Sequence, residues 1–171
     1  MAPGTFQSTY KLRDGNEIPL LGFGTYELNG REAYQAVIWA LEAGYRHIDS
    51  AEWYGNEAEC GQAILDFCAK TGTPRSEIFY TTKLKNNAGL AATRRSIELS
   101  LKKCGLGYID LYLIHGPWGG PKARVESWEA IVEAQKDGLL KSIGISTFGI
   151  RHMQELLATG LPVPAVHQAR S

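Results

Sequence analysis

The apolar residues of this chain change their spacing repeatedly, from short β-type runs to helical stripes and back. No single motif restricts the fold as much as this alternation. Runs suited to strands fall at residues 20–25, 45–49, 78–83, 108–115, 140–145 and 163–168. Between them, residues 31–43, 57–70, 90–104, 124–137 and 150–159 carry apolar side chains at helical spacing. Ala33, Val37, Ala40 and Leu41 make one such stripe, and Leu90, Ile97, Leu101 and Cys104 another. Glycines close several of these segments, as Gly44 and Gly138 do. Ahead of the first unit, residues 10–20 read as a hairpin turned at Asp14-Gly15. Strict alternation of strand and helix calls for a parallel sheet covered by helices.

Two such architectures compete, an open doubly wound sheet and a closed (β/α)8 barrel. The strand ends decide. They fall at Thr25, Asp49, Lys83, His115, Ser146 and Gln168, each polar and chemically useful. A barrel gathers all such ends at one mouth, whereas an open sheet uses one switch point. The expected fold is therefore α/β, of the (β/α)8 barrel type, with an N-terminal β-hairpin. These positions recur about every 29 residues, so eight units need about 230 residues. With 171 residues, the chain holds about five units and a sixth strand. It reads as one domain, residues 1–171, containing the N-terminal part of a barrel.

Composition excludes several functions. Lys and Arg total 18, as do Asp and Glu, so the formal net charge is zero. Such a chain has no long-range field to gather nucleic acid or an anionic membrane. No apolar stretch approaches the roughly 20 residues of a membrane span. The first residues, Met1-Ala2-Pro3-Gly4-Thr5-Phe6-Gln7, lack the basic and apolar regions of a secretory signal, and a cytoplasmic location is expected. Cys60, Cys68 and Cys104 form no CxxC pair, so no metal site is expected and the thiols read as reduced.

Gly22-Phe23-Gly24 could open a dinucleotide-binding GxGxxG, but Glu27 stands at the third glycine and no helix begins there. Asp49, Tyr54, Lys83 and His115 each have an ordinary structural reading, yet as a set they have a mechanism. A tyrosine with a free pKa of about 10 donates a proton near neutrality only if its anion is stabilised. A lysine beside the hydroxyl does so, and a buried carboxylate holds the lysine. A histidine orients a substrate oxygen against the same hydroxyl. Tyr54 as acid, Lys83 and Asp49 as its support and His115 as orienter describe a carbonyl-reducing site. No side chain supplies a hydride, so a nicotinamide cofactor must.

The run Gly44-Tyr45-Arg46-His47-Ile48-Asp49-Ser50-Ala51-Glu52-Trp53-Tyr54-Gly55-Asn56-Glu57, with Gly61 after it, resembles the first signature of the aldo-keto reductases. Phe79-Tyr80-Thr81-Thr82-Lys83-Leu84, Leu111-Tyr112-Leu113-Ile114-His115 and Ser142-Ile143-Gly144-Ile145-Ser146 resemble that family's third, fourth and fifth barrel strands. The likeness runs from Leu12 to about Gln168. It implies reduction of aldehydes and ketones with NADPH, with Tyr54 as proton donor. It further implies that Gly24, Thr25 and Asp49 touch the nicotinamide end of the cofactor, and that Ser146 and Gln168 bond its carboxamide. Trp53 and Trp118 fall on positions that line the substrate pocket.

Three departures stand out. Thr147 occupies a cofactor-binding position where the family usually has asparagine, and a hydroxyl replaces an amide there. At the sixth strand the family shows Asn-Gln and then an acidic residue, whereas this chain reads His167-Gln168-Ala169-Arg170-Ser171, and the likeness fades there as a shifted reading frame, a retained intron or a shortened chain would produce. The last two strands, which would grip the adenosine phosphate, are not present. Open sheet edges then predict instability or self-association. Two other readings remain: an inert shortened form acting through association, and a Schiff-base aldolase built on Lys83.

Overall fold

A computed structural model describes residues 7–169. The readings of Met1 to Phe6 and of Arg170 and Ser171 lie outside the described residues. Two short strands, β1 (Thr9–Lys11) and β2 (Glu17–Pro19), form the antiparallel hairpin. Six parallel strands follow: β3 (Phe23–Gly24), β4 (His47–Asp49), β5 (Phe79–Leu84), β6 (Ile109–Ile114), β7 (Leu140–Ser146) and β8 (Val166–Gln168). They lie side by side in chain order. The helices between them are α1 (Gly30–Glu42), α2 (Glu57–Thr71), α3 (Leu90–Cys104), α4 (Gly120–Lys136) and α5 (Ile150–Leu157). The result is an incomplete parallel barrel.

Every residue of β5 and β6 is buried, so both faces of the sheet are covered, as their unbroken apolar runs require. The outer face packs Tyr80, Tyr112, Ile109 and Ile143 against the helices, with Trp128 fully enclosed. On the inner face, Phe79, Leu111 and Leu113 pack with Ile18 of the hairpin and Val166. The hairpin is pinned there by Asn16, whose amide donates to the Lys141 carbonyl at 3.1 Å and to Ser142 Oγ at 3.0 Å. Helices α2 and α3 approach so closely at Gly61 that a Cβ there would lie 1.9 Å from the Cys104 carbonyl oxygen.

Three boundaries differ from the sequence expectation. Leu20 and Leu21 are exposed, and β3 pairs with β4 through only Phe23 and Gly24. Helix α4 begins four residues earlier than its apolar stripe, because Pro121 sits in the first turn, where a missing N–H costs nothing. Val163 stays partly exposed, and β8 starts at Val166. A 3-10 turn over Glu52–Tyr54, with no apolar period to announce it, carries two of the candidate site residues.

Candidate functional site

Parallel strands in consecutive order put all their C-terminal ends on one side. In register, Gly24 pairs with Asp49 and Ser146 with Gln168. His115 directly follows β6, its N–H donating to the Leu84 carbonyl at 3.2 Å. The 3-10 turn after β4 then swings Trp53 and Tyr54 over this end.

At the centre, the Lys83 ammonium is ion-paired with Asp49 Oδ1 and donates to the Ser50 carbonyl at 2.9 Å. Lys83 is 1% exposed. Burial lowers its pKa, and the charge and hydrogen bond of Asp49 oppose that shift. The second oxygen of Asp49 accepts from Gln168 Nε2 at 2.9 Å. Lys83 Nζ lies 5.3 Å from the centroid of the Tyr54 ring. The Tyr54 and His115 rings meet edge to face at 5.6 Å. The structure thus brings together the four residues singled out from the sequence.

Above them opens a cleft of about 710 Å³. Tyr54 and His115 line it together with Ser146, Thr147, Gln168 and the half-exposed Trp53 and Trp118. Trp53 meets Trp118 at 5.4 Å and His115 at 5.8 Å, so three rings make an aromatic corner. Gly24 is exposed, with open space where a Cβ would be. Thr147 has φ 55°, and its hydroxyl donates to the carbonyls of Ser146 at 2.8 Å and His115 at 3.1 Å.

Thr25 does not line this cleft. It is fully buried, and its hydroxyl donates to the Asp49 carbonyl at 3.1 Å. Its turn is locked by Asn56, whose amide donates to the carbonyls of Thr25 and Leu28, each at 2.8 Å, and accepts from Ser50 Oγ at 2.7 Å. Asn56 had no role assigned from sequence, although it lies within the motif run. Tyr26 was also missed. It lines the cleft and packs edge to face on Tyr54 at 5.2 Å. Its place one residue beyond the strand end Thr25 is the signal that could have found it. His47, two residues before Asp49, is buried against Phe79 and bonded to Thr81 Oγ1 at 2.9 Å. Burial pushes its pKa down to about 4.

The donor set suits a nicotinamide. Hydroxyl and amide groups of Ser146, Thr147 and Gln168 share one cavity with Tyr54. Among the described residues, no helix is long and apolar enough to cross a membrane.

Comparison with known proteins agrees with this geometry. The family model described as "Aldo/keto reductase family" matches residues 20–170. An uncharacterized oxidoreductase of Schizosaccharomyces pombe is 46% identical over 162 residues, covering 94% of this chain and 58% of the relative. An aldo-keto reductase of Mycolicibacterium vanbaalenii is 44% identical over 94% of this chain and 56% of its own length. Among solved structures, an aldo/keto reductase from Brucella melitensis superposes with a TM-score of 0.90 at 42% identity, covering 96% of this chain and 63% of that one. A Bombyx mori aldo-keto reductase in complex with NADP gives 0.89 at 37% identity, covering 96% and 58%. The chain therefore spans little more than half the length of these curated relatives.

Proposed function

Because this chain belongs to the aldo/keto reductase family, we propose that its cleft serves the NADPH-dependent reduction of an aldehyde or ketone to an alcohol. The observation that carries this reading is the buried Lys83–Asp49 pair packed beside the ring of Tyr54, which lines the cleft together with His115. A bound nicotinamide cofactor would supply the hydride. Gly24, Asp49, Ser146, Thr147 and Gln168 would hold its nicotinamide end, with Thr25 shaping the turn beneath.

The chain's own residues handle the proton. The Tyr54 hydroxyl donates it to the carbonyl oxygen as negative charge develops there. Lys83 stabilises the tyrosinate left behind, in a buried setting where its charge is weakly screened. Asp49 keeps Lys83 in place, and Gln168 keeps Asp49 in place. His115, edge-on to Tyr54, orients the carbonyl oxygen toward the hydroxyl. Trp53 and Trp118 shape the space for the rest of a small carbonyl substrate. The Lys83 amine already serves Asp49 and the Ser50 carbonyl, which favours a supporting role over nucleophilic attack. The edge strands β3 and β8 are the surfaces through which copies of the chain would associate, and sedimentation velocity reads whether they do.

Titrating NADPH while following tryptophan fluorescence tests binding without a guessed substrate. Saturable quenching in wild type and in Tyr54→Phe, with carbonyl reduction abolished only in the variant, is the expected pattern. Reduction by Tyr54→Phe at the wild-type rate would remove Tyr54 from the role of acid.

A further inference from the structure

The loop after β6, residues 115–119, is held by its carbonyl oxygens. Asn87 Nδ2 donates to the Gly116 carbonyl at 2.8 Å and to the Trp118 carbonyl at 2.6 Å. Arg124 Nη1 donates to the Pro117 carbonyl between them at 2.6 Å. Three successive carbonyls are thus claimed by two side chains. Both are almost completely buried, at 5% and 6% exposure, and neither lines the cleft. Surface loops ordinarily leave such oxygens to water. A buried guanidinium also needs a counter-charge, and Arg124 has one in Glu155 of α5, bonded through Nε at 3.0 Å and through Nη2. The segments after β5, in α4 and in α5 therefore converge on this loop.

Two glycines in the loop make the arrangement feasible. A Cβ on Gly116 would lie 2.5 Å from the Trp118 ring, so the indole folds back over that glycine. A Cβ on Gly119 would lie 2.2 Å from the Asn87 carbonyl oxygen, and its φ of +100° also disfavours a side chain. The indole itself is 47% exposed; besides Gly116 it meets Trp53 edge to face at 5.4 Å and the tilted ring of His115 at 6.1 Å. A ring that is nearly half exposed depends on its backbone, as well as on these contacts, for its position.

We propose that Asn87 and Arg124 are positioning residues that fix Trp118 as a preorganised aromatic wall, and so set the affinity of the cleft for carbonyl compounds carrying an aromatic ring. The proposal rests on the cleft being the carbonyl-reducing site. Preorganisation raises affinity by removing the ordering cost that a loose wall would add to each binding event. An aromatic substrate gains ring contacts with that wall, and a short aliphatic aldehyde does not reach it.

The test uses the full chain labelled with 5-fluorotryptophan and read by fluorine NMR. Trp118→Phe assigns the Trp118 signal among the four tryptophans. Asn87→Ala and Arg124→Gln should each shift or broaden the Trp118 signal and leave those of Trp39 and Trp128 in place. With NADPH, KM for benzaldehyde should rise about tenfold relative to KM for propanal, a change worth ~1.4 kcal/mol. General loosening of the fold would not split the two aldehydes. An unchanged Trp118 signal in both folded variants, or equal KM changes for both aldehydes, overturns the proposal. Should the variants not fold, the side-chain amide of Asn87 in the wild-type chain decides. Protection from solvent exchange supports the clamp, and exchange at the rate of a free amide overturns it. If wild type reduces neither aldehyde, the reductase reading fails, while the fluorine spectra still judge the clamp.

Discussion

Asp49→Asn isolates the charge of the central pair. Asparagine retains the shape of the side chain and an oxygen for Gln168, but leaves the Lys83 ammonium without a counter-ion. Lys83 is 1% exposed at its side chain and Asp49 16%. Removing one partner of a buried pair costs about 3–5 kcal/mol. The partial exposure of Asp49 places this case at the low end, about 3 kcal/mol. For a chain of this size that lowers Tm by about 6–12 °C. The loss should depend on pH with a definite sign. Burial lowers the Lys83 pKa, and Asp49 opposes that shift. Without Asp49, native Lys83 gives up its proton at a still lower pH, while the unfolded lysine titrates near 10.4. Between those two values the unfolded chain binds more protons, so stability rises with pH. The gap between wild type and variant should therefore narrow from pH 7 to pH 9.5 in thermal melts. Adding Lys83→Met to Asp49→Asn should restore much of the lost stability, because no uncompensated charge remains. A Tm deficit that is constant with pH, together with a double variant less stable than Asp49→Asn alone, would refute the reasoning.

Three further perturbations follow from other parts of the structure. His47, with its pKa lowered from 6.5 to about 4 by burial, must stay neutral in the native state, so acidification through that window favours unfolding. Urea titrations should show about 3 kcal/mol lost between pH 6.5 and 4 from this residue, and His47→Gln should remove that share of the acid sensitivity. Thr147, a β-branched residue at φ 55°, sits in backbone space that asparagine adopts more readily. Thr147→Asn should raise Tm by about 2–4 °C, which corresponds to ~1 kcal/mol of relieved strain. A lower Tm would mean that the hydroxyl bonds to Ser146 and His115 outweigh the strain. Gly61→Ala puts a methyl 1.9 Å from the Cys104 carbonyl oxygen, so α2 and α3 must separate. It should cost more than about 2 kcal/mol in chemical denaturation.

The alternation of apolar periods announced the six parallel strands and the five helices, because their buried faces are written in the spacing of the chain, whereas the exposed hairpin strand β1 was announced only by the turn at Asp14-Gly15. Its errors lie where hydrogen bonding rather than burial sets the boundary. Leu20 and Leu21 look like strand interior, yet only Phe23 and Gly24 pair with β4, and both leucines face solvent. Gly120-Pro121 looks like a helix breaker, yet it forms the first turn of α4. The Glu52–Tyr54 turn has no period at all.

The site was legible for the same geometric reason as the fold. Parallel strands deliver their last residues to one end, so Asp49, Lys83, His115, Ser146 and Gln168 could be grouped before any contact was seen. What supports those residues is not periodic. Gln168 reaches Asp49 across 119 positions, and no spacing rule connects a side-chain amide with a carboxylate at that range. Arg124 sits on a helix flank, where an arginine ordinarily reads as solvated, yet only its neighbours in space, Pro117 and Glu155, account for its burial. Asn87, between an exposed Asn86 and an exposed Ala88, is likewise buried by the carbonyls it serves. Strand ends place the groups that would meet the substrate. Isolated polar residues from distant segments then hold those groups still, and only the folded chain shows which residues these are.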